Sequence, residues 1–365
     1  MRKRLVWAEI NLKNLTHNYE FLKKEVGKNV KVMAVLKANA YGHGLVPIAS
    51  HLEKIGADFF GVACLYEAEK LRKAGIKTPI LILGYSDGET AKEAVRQDIS
   101  ITVIDVNVLR IINNEAISLG KVAKVQIKVD TGMGRFGLLP SDAIVLIKKL
   151  KKYKHVISEG IFTHFATADE DDLSFAYHQL NVFNKLLDQI KSLNLLPPII
   201  HAANSAAALR IAESRFNMVR PGILLTGYLP YRSSDSIKLK PILKLKTKIV
   251  QLKEIKKGNS VGYGRKFIAS KDTLIATIPI GYGDGFRRTP NYGTVIINGK
   301  KVPVIGNVSM DQSTIDVSGI KTSKVGDEVI IIGKDQTVDD IAERLNTINY
   351  EVLTSISDRV ERIYL

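Results

Sequence analysis

From residue 30 to about residue 225, short runs of apolar and β-branched residues alternate with longer segments whose apolar residues recur at helical spacing. This alternation is typical of βα units, in which crossover helices join parallel strands. Strand candidates lie at residues 30–36, 59–63, 80–83, 99–103, 125–129, 157–163, 199–202 and 217–219. Helix candidates lie at residues 45–55, 65–74, 90–97, 107–119, 141–152 and 173–193. Eight such units over roughly 200 residues predict an α/β fold, a (β/α)8 TIM-type barrel.

A doubly wound open sheet is the alternative architecture. In that fold the first strand-to-helix turn has a GxGxxG pattern, which lets the backbone approach a dinucleotide pyrophosphate. The corresponding turn, at residues 37–44, reads KANAYGHG and lacks this pattern. The sequence therefore favours the barrel.

The character of the sequence changes after about residue 231. Segments such as DTLIATIPIG and KVGDEVIIIG indicate strands joined by glycine-rich turns, which predicts a mostly-β domain. We predict a barrel domain over residues 1–235 and a C-terminal β domain over residues 236–365, with the polar segment 233–240 as the boundary. Residues 1–11 are expected to pair with the β domain. A helix is predicted over residues 338–345, with Thr337 as its N-cap.

Composition excludes several classes of protein. With 365 residues, 45% of them hydrophobic and 25% charged, the chain resembles ordinary soluble proteins. The longest uncharged stretch ends at Leu209 and is broken by two prolines and a histidine, so we predict no transmembrane segment and no membrane partner. Glu9 interrupts the first apolar stretch too early for a signal peptide, which predicts a cytoplasmic protein.

The net charge of +16 raises the question of nucleic-acid binding. The densest basic cluster lies at residues 148–154, where the lysines occupy one helical face and apolar residues the other. This pattern is typical of a solvated amphipathic helix, so we expect no nucleic-acid partner. A basic surface attracts small anions through a diffuse field.

The cysteine and histidine pattern excludes two further kinds of site. Cys64 is the single cysteine, so the chain forms no internal disulfide, and its apolar surroundings predict a small buried side chain. No HxH, HExxH or spaced Cys/His set occurs. We therefore predict no catalytic metal site.

Barrel enzymes assemble their active sites at the C-terminal ends of the strands. The polar residues that close the predicted strands are Lys37, Lys128, Asp130, His164, Asn204, Ser205 and Arg220. Lys37 follows seven mostly apolar residues, which predicts a desolvated amine with a lowered pKa that can form a Schiff base. His164 could be a general base, a metal ligand or a packed histidine, and the residues alone leave this open.

The loops that follow the seventh and eighth strands, Asn204-Ser205 and Arg220-Pro-Gly-Ile, lie where phosphate sites recur in barrels. A Schiff-base lysine together with a phosphate site indicates pyridoxal 5′-phosphate, a cofactor that acts as an electron sink.

Short motifs distributed over nearly the whole chain resemble those of bacterial alanine racemases. They are AVLKANAYGHG (34–44), KVDTGMGRFG (128–137), THFA (163–166), AANSAA (202–207), VRPGI (219–223), GYGR (262–265), GYGDG (281–285), SMDQ (309–312) and INYEVLT (348–354). The first is the most diagnostic, because it contains the family's cofactor lysine and the tyrosine four residues on. The resemblance implies a pyridoxal-phosphate isomerase that interconverts L- and D-alanine and supplies D-alanine for peptidoglycan.

The resemblance also implies roles for individual residues. Lys37 would hold the cofactor as a Schiff base and act as base on one face of the substrate, with Tyr263 on the opposite face. Two bases on either side of a planar carbanion invert the centre without rotating the substrate. The implied cofactor-binding residues are Lys37, Tyr41, His164, Asn204, Ser205, Arg220, Gly222, Ile223 and Tyr350. The implied substrate-binding residues are Arg135, Met310 and Asp311, and Lys128 matches a lysine that is carbamylated in many relatives.

Arg220 would donate a hydrogen bond to the cofactor's pyridine nitrogen, and Tyr263, Met310 and Asp311 would reach the active site of the other subunit. The implied assembly is a homodimer with composite active sites. The chain departs from the family's usual motifs at Gly283, where alanine is usual, and at Gly262 and Ser309, where serine and cysteine are frequent. The sequence leaves open whether Arg287 or Arg288 matches the family's entrance arginine.

The main alternative function is an amino-acid racemase of broader or different specificity, for serine or basic amino acids. Pocket size around Tyr350 and Met310 would decide this, and a methylene is worth only about 1–3 kcal/mol. A barrel-type decarboxylase of diamino acids would need an acidic pyridine partner, which Arg220 is not. A non-catalytic binding protein would not need the β domain, and a cofactor-free aldolase would not need the phosphate loops.

Overall fold

The computed structural model describes residues 4–231, 237–288, 293–320 and 322–365. The described residues form two compact units. The barrel unit contains residues 15–40 and the described part of 45–240, and the β unit contains residues 4–14, 41–44 and the described part of 241–365. The predicted boundary between residues 235 and 236 lies outside the described residues, so this boundary stays a prediction.

The helices and strands before residue 231 follow the predicted alternation. In chain order they are β1 (Val6–Ile10), α1 (Leu12–Val26), β2 (Lys31–Val35), α2 (Leu45–Lys54), β3 (Phe59–Val62), α3 (Leu65–Lys73), β4 (Ile80–Ile82), α4 (Gly88–Arg96), β5 (Ser100–Val103), α5 (Val106–Ser118), β6 (Ala123–Lys128), α6 (Pro140–Leu150), β7 (Val156–Phe162), α7 (Ser174–Ser192), β8 (Ile199–His201), α8 (Ser205–Arg210) and β9 (Met218–Val219). Each predicted strand and helix of this region is present, with ends within two residues of the prediction.

Strands β2 to β8 pair in parallel with their neighbours in chain order, and β9 pairs with β2. Two further hydrogen bonds connect the last strand to β8, from Arg220 N–H to the Ala203 carbonyl (2.9 Å) and from Ile200 N–H to Asn217 Oδ1 (2.8 Å). The buried residues Met33, Phe59, Leu81, Phe162, Ile199 and Met218 form one apolar cluster. The predicted (β/α)8 barrel is confirmed.

Helix α1 was not predicted from the sequence. Its buried residues are Leu15, Asn18, Tyr19, Leu22 and Val26. The spacing is helical, but the polar Asn18 stands within the apolar stripe and hides it. The side chain of Asn18 is satisfied because its amide donates to the carbonyls of Leu225 and Lys240 (3.1 and 2.8 Å) and accepts from Lys240 N–H (2.8 Å).

The prediction that Cys64 is buried is wrong. Strand β3 ends at Val62, and Cys64 lies two residues further on, at the N-cap of α3. The residue is therefore outside the apolar run and exposed to solvent.

The β unit consists mainly of antiparallel strands. After β9 the elements are β10 (Leu243–Lys248), β11 (Gln251–Ile255), β12 (Ser260–Val261), β13 (Phe267–Ile268), β14 (Thr273–Ile278), β15 (Thr294–Ile297), β16 (Lys300–Ile305), β17 (Ser313–Asp316), β18 (Glu328–Ile332), α9 (Val338–Arg344), α10 (Asn349–Thr354) and β19 (Glu361–Tyr364). Nine strands form one sheet in the order β11-β14-β17-β16-β15-β18-β10-β1-β19. Strand β1 pairs antiparallel with β10 and parallel with β19, which brings both ends of the chain into this sheet.

Helix α9 begins as the sequence predicts. The Thr337 hydroxyl accepts the Asp340 N–H (3.1 Å), and the Asp340 carboxylate accepts the Thr337 N–H (2.8 Å). This reciprocal pair is a capping box. Within the described residues, no helix is both long and apolar enough to cross a membrane.

Gly42, in the β unit, gives a test of how closely its loop packs on the backbone of helix α10. Its φ is +80°, and an added Cβ would lie 2.3 Å from the Leu353 carbonyl oxygen. Gly258 has a similar φ of +87°, but open space surrounds its missing Cβ. Both alanine variants lose about 1–2 kcal/mol to the left-handed backbone. We expect Gly42→Ala to lose at least about 2 kcal/mol more, because two backbone segments must separate.

Denaturant unfolding of both variants measures this difference. Equal losses for Gly42→Ala and Gly258→Ala would contradict the close approach of Gly42 to Leu353.

Candidate active site

The backbone that follows β2 is left-handed at four successive residues, 38–41, with φ between 52° and 56°. None of them is glycine, and each such residue costs about 1–2 kcal/mol. One side chain from outside the turn and one within it hold the turn in place. Glu67 accepts the Ala38 N–H (2.7 Å), and Asn39 Oδ1 accepts the Leu45 N–H (2.8 Å). Local strain is thus concentrated beside Lys37, as is common at functional sites.

Lys37 lies at the C-terminal end of β2, directly before this turn. Part of its side chain is open to solvent. Burial of the amine nevertheless lowers the pKa of Lys37 below its ordinary value, and the Arg135 guanidinium lowers it further, while Glu67 acts in the opposite direction. The lowered pKa that the sequence predicts is therefore present, and it raises the fraction of neutral, nucleophilic amine.

Lys128 is buried at the end of β6, with its amine 4.5 Å from the centre of the Phe136 ring. Burial lowers the pKa of Lys128 to about 8, and the positive charges of Arg135, Arg220 and Lys37 contribute in the same direction. We call Lys37, Lys128, Arg135 and Arg220 the cation cluster. Because like charges so close together are unfavourable, this arrangement favours an anionic ligand or a neutral amine.

Asp130, a sequence-predicted candidate, organises the loop that contains Arg135. Its carboxylate accepts the N–H groups of Gly132 (2.9 Å) and Gly134 (3.1 Å). Burial alone would raise the pKa of Asp130, but these backbone hydrogen bonds lower it overall. Asp130 therefore shapes the loop, and its charge also partly offsets the lowering of the pKa of Lys128.

The guanidinium of Arg220 is buried at the end of β9. It donates to the carbonyls of Thr163 (2.7 Å) and Ala202 (2.9 Å), and it contacts Nδ1 of His201 (3.0 Å) and of His164 (3.3 Å). Burial lowers the pKa of Arg220 to about 9. The residue is therefore still a cation at pH 7.

The contact with Arg220 defines the state of His164. An arginine has no hydrogen-bond acceptor, so Nδ1 of His164 must offer its lone pair, and the proton of the neutral ring is on Nε2. Burial and the charge of Arg220 together hold the pKa of His164 well below its usual range. Of the three alternatives that the sequence left open, a packed histidine fits this buried, neutral ring best, with Arg220 as its hydrogen-bond donor. The described residues include no group of three or more His, Cys, Asp or Glu side chains arranged to hold a metal ion.

Sequence reasoning missed His201 and Glu67. His201 lies within an apolar run, so nothing in its local sequence separates it from a packed core histidine. A weak signal was available, because a polar side chain inside a barrel strand needs a polar partner there. Glu67 lies in the first turn of α3, where an acidic residue is ordinary, and it therefore gave no signal.

The loops predicted to bind phosphate lie together in the barrel unit. Ser205 is buried at the start of α8, and its hydroxyl accepts the Gly222 N–H (2.9 Å). Ile223 begins a 3-10 turn directly after Gly222. Asn204 is the N-cap of α8, and its side chain accepts the Ala207 N–H (3.0 Å). Asn204 thus supports this loop through a contact within α8.

The candidates of the β unit lie at several places on that unit. The rings of Tyr41 and Tyr350 are neighbours, with their centroids 5.9 Å apart. Tyr263 and Met310 are exposed, at 69% and 52% of their surface. Asp311 is paired with an arginine, as described below.

The two arginines considered for the family's entrance position differ in their surroundings. Arg287 forms an ion pair with Glu351. Arg288 is an exposed residue.

A (β/α)8 barrel with a low-pKa lysine, a cation cluster and backbone-lined loops at its strand ends has the features of a barrel enzyme that binds an anionic, carbonyl-bearing group. Comparison with known protein families shows which family of enzymes this is. The family profile "Alanine racemase, N-terminal domain" matches residues 10–230, and "Alanine racemase, C-terminal domain" matches residues 242–364. The chain belongs to the alanine racemase family, a family of isomerases.

Individual relatives are similar to this chain over nearly its whole length. "Alanine racemase 1" of Caldanaerobacter subterraneus subsp. tengcongensis is 42% identical over 98% of this chain and 94% of its own. The solved alanine racemase of Clostridium difficile 630 is 40% identical with a TM-score of 0.95, over 100% of this chain and 97% of that one. The alanine racemase of Bacillus anthracis, solved with bound L-Ala-P, is 37% identical with a TM-score of 0.92, over 100% of this chain and 96% of that one.

Gly283, one of the departures from the family's motifs, lies against Arg359. An added Cβ would lie 2.2 Å from a guanidinium nitrogen of Arg359, which pairs with Asp311 and lies 3.6 Å from Asp284. We therefore expect Gly283→Ala to displace Arg359 from both carboxylates. Because the pair with Asp311 is exposed, we expect only a small loss of stability.

A double-mutant cycle of Gly283→Ala and Arg359→Ala tests this by thermal unfolding. The two losses are expected to be less than additive, because both changes remove the same ion pairs. Gly319→Ala, with open space at its missing Cβ, is the control. Full additivity would contradict the displacement.

Proposed function

We propose that this chain interconverts L- and D-alanine with pyridoxal 5′-phosphate as its cofactor. The proposal rests on Lys37, whose amine has a lowered pKa and lies beside other cations at the strand ends of the barrel. The relatives named alanine racemase, aligned over the whole chain, support the same reaction.

The residues of the barrel unit fit this cofactor. The Ser205 hydroxyl accepts the Gly222 N–H and keeps its own proton to donate to a phosphate, beside the backbone of the turn that begins at Ile223. The resemblance adds Tyr41 and Tyr350 to this set. When bound, pyridoxal phosphate withdraws electron density from the substrate's α-carbon and so acidifies its α-proton.

The proton transfers are assigned to two side chains. Lys37 would take or give a proton at Nζ on one face of the substrate, and its lowered pKa keeps the base form accessible. Tyr263 would do the same at its hydroxyl on the opposite face. In our proposal Tyr263, Met310 and Asp311 act in the site of the partner subunit of a homodimer. The wide exposure of Tyr263 and Met310 supports this, since exposed aromatic and methionine side chains are enriched at interfaces.

Arg220 is proposed to donate a hydrogen bond to the ring nitrogen of the cofactor. Its Nη1 and Nη2 atoms already contact two carbonyls and two imidazoles, which fix the plane of the guanidinium. A guanidinium keeps its proton in such a contact. This limits electron withdrawal from the substrate and, we infer, suppresses side reactions such as transamination.

Lys128 is proposed to be carbamylated. Its neutral amine would attack CO2, forming a new N–C bond and releasing one proton, and the carbamate would carry a negative charge. That charge would hold Arg135, whose guanidinium is proposed to bind the substrate carboxylate. The burial and positive neighbours of Lys128 support this, because they favour loss of its positive charge.

Carbamylation of Lys128 predicts a pH dependence. The pKa of about 8 means that the neutral, reactive amine increases as the pH rises toward 8. With 13C-bicarbonate, we expect a carbamate NMR signal that grows from pH 6 to pH 8 and is absent in Lys128→Arg. Lys124, which is half-buried and pairs with Asp98, is changed to arginine as the control. A signal that survives in Lys128→Arg would contradict the assignment.

Isotope exchange tests the two-base reaction. The protein is incubated with pyridoxal phosphate and L-alanine in D2O, and α-deuterium and D-alanine are measured together. We expect both with the unmodified protein and a loss of D-alanine by a factor of about 100 or more in Lys37→Ala and Tyr263→Phe. Tyr282→Phe, at another exposed tyrosine of the β unit, should keep full activity.

Undiminished D-alanine formation by Tyr263→Phe would contradict its role. Serine and lysine are tested in parallel, and faster racemisation of either than of alanine would favour the broader or different specificity. If alanine is the substrate, we further propose that the D-alanine formed serves peptidoglycan synthesis.

A further inference from the structure

A row of hydrogen bonds continues from Arg220 through the inside of the barrel. His201 contacts Arg220 through Nδ1 (3.0 Å) and the Oε1 of Gln126 through Nε2 (2.7 Å). The Nε2 of Gln126 then donates to the Glu159 carboxylate (2.7 Å). His201 and Gln126 are completely buried, whereas Glu159 lies partly open to solvent on β7. The row therefore connects a buried cation with a carboxylate near the surface.

Chemistry at the two ends fixes the direction of every bond between them. Arg220 can only donate, so Nδ1 of His201 accepts, and the proton of this neutral ring is on Nε2. Nε2–H must then donate to the carbonyl oxygen of Gln126. The amide nitrogen of Gln126 is left to donate to Glu159, which as a carboxylate can only accept. No other assignment satisfies all four groups.

Burial supports this assignment of His201. The pKa of His201 lies well below its usual range, because the ring is buried and the charge of Arg220 is nearby. The ring also stacks on Phe162, with centroids 4.6 Å apart and planes 12° from parallel, so it cannot rotate freely. A fixed, neutral ring is suited to transmit the orientation of Gln126 to Arg220.

Arg220 needs such support because its direct acceptors are neutral. They are two carbonyl oxygens and two imidazole nitrogens, and no carboxylate lies within ion-pair distance of Arg220 in the described part of the chain. Hydrogen bonds in a row polarise one another, so the charge of Glu159 makes the amide and the imidazole better acceptors. Glu159 thereby stabilises the cation from a distance.

We propose that Gln126 and Glu159 are positioning residues that fix the tautomer of His201 and, through it, the charge and plane of Arg220. The catalytic consequence rests on the proposed function, in which Arg220 faces the cofactor's ring nitrogen. The structural consequence, the tautomer of His201, does not depend on it. Gln126→Leu breaks the row in its middle, and Glu159→Gln removes the charge but keeps an acceptor.

The first readout is 15N NMR of histidine-labelled protein without substrate. We expect His201 to be protonated at Nε2 alone in the unmodified protein and in Glu159→Gln. In Gln126→Leu the Nε2 proton has no acceptor, so we expect a mixture of tautomers. Ser158→Ala is the matched control, because it neighbours Glu159 and its buried hydroxyl has no hydrogen-bond partner among the described residues.

The second readout is alanine racemisation by the pyridoxal-phosphate-loaded enzyme. We expect kcat to fall about tenfold in Gln126→Leu and about threefold in Glu159→Gln, with KM unchanged, because the proposed carboxylate-binding Arg135 is not altered. An unchanged His201 tautomer in Gln126→Leu, or an unchanged kcat in both variants, would overturn the proposal. If the unmodified protein does not racemise alanine but the tautomer shifts as expected, the proposed function fails while the positioning of Arg220 stands. If Gln126→Leu does not fold, the Glu159→Gln variant tests the proposal by itself. An unaltered kcat in that variant would show that the charge of Glu159 does not support Arg220, which would overturn the proposal.

Discussion

The barrel's active end is organised around one desolvated cation, the guanidinium of Arg220. A buried charge is unfavourable unless it is hydrogen-bonded. Here two carbonyls and two imidazoles accept its hydrogen bonds. The two imidazoles that accept from Arg220 are therefore neutral. The pKa of Lys128 falls to about 8 mainly because its own amine is buried, and the charges of Arg135 and Arg220 lower this pKa further.

Burial and the crowding of like charges favour the neutral form of the two lysine amines at this site. A lysine in water is almost entirely protonated at pH 7 and a poor nucleophile. Beside Arg135 and with its amine desolvated, Lys37 gives up its proton more readily. An anionic cofactor would neutralise part of the positive charge and gain binding energy from it. The strained turn after Lys37, held by Glu67, fixes where that amine can be.

Much of this arrangement could be predicted from the sequence, because its signals are local. β-branched runs mark the strands, and the polar residues that end them include Lys37 and Arg220. The contacts that tune the site are not local. His201 and Gln126 are 75 positions apart, and Ala38 and Glu67 are 29 apart, so no spacing rule connects them. The left-handed turn was equally hidden, because alanine and tyrosine rarely adopt that conformation.

We propose above that Lys37 is the reactive amine among the cations of this site. Borohydride reduction of the protein with bound pyridoxal phosphate, followed by peptide mass spectrometry, tests it directly. We expect one pyridoxyl group per chain, on the peptide that contains Lys37, and none after Lys37→Ala. A pyridoxyl group on Lys128, or labelling spread over surface lysines, would contradict it.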